Sequence, residues 1–234
     1  MQINFNNSKI IAGLSERSDG SMVWRNRLPV DEKIKQNRDK YFTEIGIDPN
    51  RVIAVGIKHG MNVTVVGEKD AGSYILDSDG LITKDKNLFL SVTVADCLPV
   101  YFYDSANEVI GISHAGWKGL VKGVLENTVK KLQENFNSKP ENLEVIIGPH
   151  ILPCHYEIGE EVAENFSKQN IITRDGKIFA DLSGEAKLRL ESVGVNNITV
   201  DETCTYCNAD KLYSARHDRL EQVDGMVAYI GLSL

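Results

Sequence analysis

Short runs of β-branched and aromatic residues recur along the chain, bounded by glycine, aspartate and asparagine. This pattern is typical of short buried strands. It predicts strands at residues 8–12, 52–57, 88–95, 99–103, 109–113, 144–147, 198–200 and 226–230. The chain therefore carries a large β component.

Helical patterns alternate irregularly with these strands. They predict helices at residues 31–45, 120–136, 160–166 and 184–193. Asp31 is suited to cap the first helix and Gly46 to end it, and the second helix gathers its apolar side chains on one broad face. Because there is no repeat, no linker and no strict β–α–β order, the pattern predicts one α+β domain over residues 1–234.

Composition agrees with a folded domain of this size. The chain has 234 residues, of which 42% are hydrophobic, and glycine and proline together make up about 11%. This is well below the ~25–30% that marks low-complexity chains. The net charge of −7 argues against a nucleic-acid partner, which would require a basic surface.

The sequence also indicates where the protein resides. No apolar stretch approaches the ~18 residues that span a bilayer, and the first residues lack the basic and apolar segments of a secretory signal. We therefore expect a cytoplasmic protein without membrane contact. Its four cysteines are too few for a disulfide scaffold of this size.

Three predicted strands end near a residue that can bind a metal. These residues are His59, Cys97 and His114. Two imidazoles and one thiolate form a three-ligand set that suits zinc and leaves a fourth position for water or substrate. Because 38 and 17 residues separate them, their convergence in space is an inference from their placement at strand ends.

The remaining cysteines allow several interpretations. Cys204 and Cys207 form a CxxC, which suggests a redox pair or half of a zinc ribbon, yet no second CxxC completes a ribbon. Cys154 and His155 lie in a proline-containing loop and are candidates for a second metal or substrate site. His150 belongs to the same loop.

Candidate anion-binding groups also occur. Gly116 opens the helical segment that follows His114, so its backbone N–H groups are a candidate anion site. Arg17 and Arg216 lie in polar stretches and are candidate ligands for an anion. No GxGxxG, Walker loop, GxSxG elbow or HExxH helix is present.

Five segments together resemble the motif series of one family. They are Lys-His-Gly at 58–60, Val-Ala-Asp-Cys-Leu-Pro-Val at 94–100, His-Ala-Gly-Trp-Lys-Gly at 114–119, Gly-Pro-His-Ile-Leu-Pro-Cys-His-Tyr-Glu-Ile-Gly at 148–159, and Cys-Thr at 204–205 followed by Tyr-Ser-Ala-Arg-His-Asp at 213–218. The family is the YfiH family, also named multicopper polyphenol oxidoreductase (laccase) domain, peptidoglycan editing factor and purine nucleoside phosphorylase. The resemblance runs from about Ala12 to the C-terminus.

The resemblance implies a fold, a metal site and an activity. The fold would be a single-domain α/β/β/α layered sandwich with mixed sheets, and His59, Cys97 and His114 would be zinc ligands. The family is associated with phosphorolysis of purine nucleosides, including methylthioadenosine, and with adenosine deamination. By motif position, Arg17 and Arg216 would bind substrate phosphate. We expect a monomer or weak homodimer.

This chain departs from the family pattern at positions near the site. Lys58 replaces the usual glutamine before the first His-Gly, and His217 replaces the second arginine of the C-terminal motif. Arg219 replaces the following glycine. These changes leave the metal ligands intact and bear on substrate preference and phosphate handling.

Four functions remain open from sequence. The first is a zinc-dependent purine nucleoside phosphorylase with adenosine deaminase activity. The second is a cysteine hydrolase editing peptidoglycan precursors, with Cys97 as nucleophile and His59 or His114 as base. The third is a copper-dependent polyphenol oxidase, although multicopper chemistry normally needs many more imidazole ligands than the five histidines of this chain. The fourth is a non-catalytic metal-binding protein.

Overall fold

The computed structural model describes residues 1–24, 31–219 and 221–233, and within these ranges the chain forms fifteen strands and six α-helices. The strands are β1 (Gln2–Ile3), β2 (Ile10–Leu14), β3 (Val52–Gly56), β4 (Val63–Val65), β5 (Tyr74–Leu76), β6 (Gly80–Thr83), β7 (Phe89–Val94), β8 (Leu98–Asp104), β9 (Val109–Ala115), β10 (Leu143–Ile147), β11 (Glu157–Ile158), β12 (Ile171–Arg174), β13 (Lys177–Ala180), β14 (Asn197–Val200) and β15 (Met226–Leu232). The helices are α1 (Glu32–Glu44), α2 (Trp117–Lys122), α3 (Val124–Phe136), α4 (Glu160–Ala163), α5 (Leu182–Ser192) and α6 (Ala215–Asp218).

Most of the strands belong to two six-stranded mixed sheets. The first has the order β1-β2-β15-β7-β3-β5 and the second β14-β10-β8-β9-β6-β4. In the first, β3 runs parallel to β7 while β15 pairs antiparallel with β7. In the second, β8 and β9 form a long antiparallel pair in the register Pro99↔His114. Strands β11, β13 and β12 form a third, small sheet.

Alternate residues of the central strands face different apolar layers, because side chains along a strand alternate between its faces. In β8, Val100 and Phe102 pack in a core with Leu125, Val129 and Leu190 of the helices α3 and α5.

The opposite face of the same strand packs on the other sheet. Tyr101 and Tyr103 share a core with Leu90 of β7 and Ile230 of β15. The two sheets therefore lie face to face, with α3 and α5 outside one of them.

The fourth layer is α1, which covers the outer face of the first sheet. Its side chains Tyr41 and Phe42 pack against Val227 and Tyr229 of β15. Asp31 caps the helix by accepting hydrogen bonds from backbone N–H groups of its first turn, as predicted. The α/β/β/α arrangement implied by the family resemblance is thus confirmed.

The structure corrects two predicted helices. The predicted helix over residues 120–136 is two helices, α2 and α3, because Gly123 adopts a left-handed conformation with φ of 88° between them. The helix predicted from residues 160–166 onward is a single turn that ends at Ala163. The short strands β4, β5 and β6 were not predicted, since three or four residues carry too little alternation. Among the described residues, no helix combines the length and apolar character needed to cross a membrane.

Candidate metal centre

His59 lies in a tight turn after β3, in the left-handed region with φ of 56°. A buried carboxylate, Asp79, holds this turn. It accepts hydrogen bonds from the backbone N–H of Lys58 at 3.1 Å and of Gly60 at 2.9 Å. The imidazole is therefore presented by a turn whose backbone is fixed on both sides.

Cys97 lies in the bend between β7 and β8 and is half-buried. The preceding residue, Asp96, adopts φ of 81°, and its carboxylate accepts from Thr205 Oγ1 at 2.6 Å and from the backbone N–H of Arg216 at 2.7 Å. Its carbonyl accepts from the N–H of Ile151 at 3.0 Å. Asp96 thus ties three distant segments to the thiol.

His114 lies within β9, one residue before its end, and is buried. Its backbone N–H donates to the carbonyl of Asp79 at 2.7 Å. Its Nδ1 lies 3.9 Å from Asp79 Oδ1 and has no hydrogen-bond partner. Asp79 therefore positions both histidines, and their rings lie at 88° with centroids 4.9 Å apart.

The three side chains converge as the sequence placement predicted. One donor atom from each of His59, Cys97 and His114 lies within 4.8 Å of the other two. A Cβ added at Gly116 would lie 2.8 Å from Cys97 Sγ, so the backbone passes the thiol at a distance that only glycine allows. A soft sulfur with two imidazoles is a donor set that fits zinc, and a site with an unpartnered buried nitrogen fits a cation.

Burial sets the protonation of these groups. It raises the pKa of the Cys97 thiol to about 12, with a further contribution from Asp96. Burial and the neighbouring His59 lower the pKa of His114 to about 3. Partial burial lowers the pKa of His59, partly opposed by Asp79. Both imidazoles are therefore neutral at pH 7, and the thiol loses its proton readily only when a cation is close.

Two cavities open beside the centre. One, of about 420 Å³, is lined by His59 and Cys97 together with lysines and by Trp117 and Tyr156. The other, of about 730 Å³, shares Trp117 and Tyr156 and is lined by Arg174. Aromatic walls and cationic side chains suit a planar base with an anionic group.

The two predicted arginines lie in different surroundings. Arg216 is exposed and lines the larger cavity, with its guanidinium 5.4 Å from the ring centroid of Tyr156. Arg17 instead donates to both carboxylate oxygens of Asp218 at 2.8 and 2.7 Å and lies 4.4 Å over the ring of Tyr213. Among the described residues that line the two cavities, Arg17 does not occur. Although burial alone would raise it, the pKa of Asp218 lies below its ordinary value because Arg17 hydrogen-bonds to the carboxylate.

A second convergence joins the remaining cysteines. Cys154, His155, Cys204 and Cys207 form a four-residue group whose donor atoms lie within 4.8 Å of one another. The sequence predicts separate roles for the CxxC and for the Cys-His pair, whereas the structure places the two pairs together. His150 is buried elsewhere in the loop, with Nδ1 2.8 Å from the carbonyl of Gly148.

Sequence reasoning missed the carboxylates that position these groups. Asp79 follows a serine in a short turn, and nothing in its spacing distinguishes it from a surface aspartate. Asp96 adjoins Cys97 in the motif, yet its partners Thr205 and Arg216 lie more than a hundred residues away. Only the fold brings these partners together.

Known proteins resemble this chain in sequence and in fold. The sequence model of a family described as multi-copper polyphenol oxidoreductase laccase matches residues 28–233. A protein of Clostridium acetobutylicum named purine nucleoside phosphorylase is 34% identical over 170 residues, which cover 70% of this chain and 71% of that protein. Purine nucleoside phosphorylase YfiH of Escherichia coli is 33% identical over 195 residues, covering 80% and 77%.

A solved structure agrees over nearly the whole chain. The hypothetical protein YfiH of Bacillus licheniformis superposes with a TM-score of 0.88 at 26% identity, covering 96% of this chain and 93% of that one. The chain belongs to the YfiH family. Both of these curated relatives are named purine nucleoside phosphorylase.

Proposed function

We propose that this protein is a zinc-dependent purine nucleoside phosphorylase. It acts on adenosine, inosine, guanosine and methylthioadenosine, and it also deaminates adenosine. The observation that carries the proposal is the convergence of His59, Cys97 and His114 beside a cavity with aromatic and lysine walls. A three-ligand set leaves a position for substrate, as in catalytic zinc sites.

The donor set favours zinc over copper. The centre offers two imidazoles, whereas multicopper oxidation requires many more. Bound zinc would supply Lewis acidity, which suits both phosphorolysis and the replacement of the 6-amino group of adenosine by water. The neutral state of both imidazoles leaves their nitrogen lone pairs free for the metal.

In phosphorolysis, a phosphate oxygen bonds to C1′ of the ribose as the bond from C1′ to the purine nitrogen breaks. The electron pair stays on the purine, which then takes a proton. The chain's part is to hold the two reactants in line. Trp117 and Tyr156 line both cavities, so we assign the purine to these rings and the phosphate to the cationic side of the cavities.

Of the two arginines predicted from sequence, Arg216 is the better placed for phosphate. Its guanidinium lines the larger cavity, while its backbone N–H is held by Asp96 next to Cys97. Arg17 is paired with Asp218 in α6, the helix that contains Arg216. We therefore assign Arg17 to positioning this helix rather than to the phosphate contact expected from its motif position.

Phosphate dependence tests the proposal. The purified protein is incubated with each of the four nucleosides, with and without phosphate, and products are identified by mass spectrometry. We expect free base and a ribose 1-phosphate only when phosphate is present, and inosine from adenosine in both conditions. Free base formed equally without phosphate would contradict phosphorolysis.

A matched pair of variants tests the anion site. Arg216→Lys keeps the charge and loses the planar fork, so kcat/KM for phosphate should fall about tenfold or more while zinc content is unchanged. Arg51→Lys is the control, because Arg51 pairs with Glu68 away from both cavities. The cytoplasmic location and the monomer or weak dimer stay predictions.

A further inference from the structure

The four-residue group formed by Cys154, His155, Cys204 and Cys207 lies outside the centre assigned to catalysis. Cys154 Sγ is 3.6 Å from Cys204 Sγ and 3.7 Å from Cys207 Sγ. Nδ1 of His155 is 3.3 Å from the sulfurs of both Cys154 and Cys207. Three thiol sulfurs and one imidazole nitrogen thus lie within 4.8 Å of one another.

These four distances match four of the six edges of a zinc tetrahedron, and the other two donor separations are at most 4.8 Å. With Zn–S bonds of about 2.3 Å and a Zn–N bond of about 2.0–2.1 Å, tetrahedral angles place sulfurs about 3.8 Å apart and nitrogen about 3.6 Å from sulfur. The observed separations lie within about 0.3 Å of these values. A disulfide requires sulfurs about 2.05 Å apart, and all four cysteines of the chain are free thiols.

We propose that Cys154, His155, Cys204 and Cys207 bind a second zinc ion in a closed, structural Cys₃His site. Four protein ligands fill the tetrahedron and leave no position for substrate, which distinguishes structural from catalytic zinc. The three thiols release their protons to solvent as the metal binds.

The surroundings suit such a site. The backbone N–H of Leu152 donates to Cys204 Sγ at 3.5 Å, a contact that favours a thiolate. Arg174 donates to the carbonyl of Cys154 at 3.1 Å and places a positive charge near three thiolates. The ring of His155 stacks on Tyr206 at 4.0 Å with an interplanar angle of 11°, which fixes its orientation.

The site would brace the wall of the catalytic cavities. Cys154 and His155 immediately precede Tyr156, which lines both cavities. Cys204 precedes Thr205, whose hydroxyl donates to Asp96 beside Cys97. The second zinc would therefore link the loop after β10 to the loop after β14. Its ligands Cys154 and His155 also line the larger cavity, so it would hold part of the cavity wall in place.

Zinc content measured by native mass spectrometry and elemental analysis tests the proposal. The protein is purified under reducing conditions with zinc in the growth medium. We expect about two zinc ions per chain in the wild type, about one in Cys97→Ala and about one in Cys207→Ser. One zinc in the wild type that persists in Cys207→Ser and is lost in Cys97→Ala would overturn the second site.

Cobalt gives a readout that can be taken on the wild-type protein itself. Thiolate-to-cobalt charge-transfer absorption grows with the number of thiolates, so the second site, with three, should give about three times the band of the first, with one. In Cys97→Ala the strong band should remain. A wild-type spectrum with the intensity expected for a single thiolate would contradict the proposal. So would iron bound in place of zinc, or an intact protein mass about 2 Da lower, which would indicate a disulfide.

Discussion

The two Cys/His groups of this protein are built from the same two types of side chain, but they differ in the number of ligands and in how these are positioned. His59, Cys97 and His114 are placed by the ends of β3, β7 and β9 and are three in number. The other group is placed by two loops and has four members. Because zinc in proteins prefers four ligands, a zinc ion bound by the first group would keep a position open for substrate, and one bound by the second would not.

The groups also differ in how they are held. Asp79 accepts hydrogen bonds from the backbone on both sides of His59, and Asp96, next to Cys97, accepts from the backbone N–H of Arg216. The second relies on the local CxxC spacing and on the stacking of His155 on Tyr206. Supporting carboxylates are typical of sites whose ligands must keep their orientation while substrates exchange.

Removing one thiol from each group should give the largest effect and tests whether the two groups differ in role. Cys97→Ala should lower phosphorolysis more than about hundredfold, beyond what loss of an outer-shell partner costs, and leave the second zinc in place. Cys207→Ala should lower activity about tenfold or less and remove the second zinc. Steady-state kinetics and zinc content, measured on the same samples, check both. Equal losses of activity would mean that the groups do not differ in role.

Asp79→Asn should have the next largest effect. The amide keeps the size of the carboxylate and loses the charge beside His114, so zinc affinity at the first group should fall about 10–100-fold. The affinity is measured by competition with a chelator. Asp85→Asn serves as control, because Asp85 accepts from the N–H of Glu68 on an exposed turn. An unchanged affinity would remove Asp79 from its supporting role.

Acid should destabilise the zinc-free protein through His114. In the folded state its pKa is about 3, whereas the unfolded chain binds a proton near pH 6.5. Above pH 6.5 the imidazole is neutral in both the folded and the unfolded state, so it does not change the pH dependence of the free energy of unfolding. As pH falls from 6.5 toward 3, the unfolded state takes up the proton first, and the free energy of unfolding decreases by at most about 1.4 kcal/mol per pH unit.

Urea denaturation of the zinc-free protein at pH 7, 6 and 5 measures this slope. His114→Asn should give a shallower decline than wild type because it has no group to protonate. Parallel curves for the two proteins would contradict the assignment of a neutral, buried His114.

Gly116→Ala should have the smallest effect of the four. The added methyl group would meet Cys97 Sγ at 2.8 Å, and the strain of such overpacking is about 1–3 kcal/mol. Gly159→Ala is a matched control, because both glycines cap short helices with similar backbone angles and the nearest atom to its new Cβ is 3.9 Å away. Thermal melts of both variants, with and without zinc, separate the effect on the centre from the effect on capping.

Sequence predicted the first group better than the second. The three ligands stand at strand ends, where a rigid element gives way to a loop, and the family motifs carry the same residues. The second group escaped prediction as a unit because Cys154 and Cys204 are fifty residues apart and meet only when β10 and β14 pair in parallel.

Prediction of the fold from sequence also succeeded only for some elements. Long strands such as β8 and β9 and the capped helix α1 follow from periodicity and capping, whereas the break at Gly123 could not be predicted because apolar residues continue on both sides of it. Asp79 and Asp96 could not be assigned either, since their partners are set by tertiary contacts.

The state of Cys97 tests the central claim most directly. The wild-type protein is stripped of zinc with a chelator, assayed for phosphorolysis, reloaded and assayed again, and alkylation of Cys97 by iodoacetamide is followed by peptide mass spectrometry in both states. We predict that activity is lost on stripping and returns with zinc, and that Cys97 is protected in the loaded protein and reacts in the stripped one. Full activity in zinc-free protein, together with its loss on alkylation of Cys97, would contradict the zinc centre and establish Cys97 as a nucleophile.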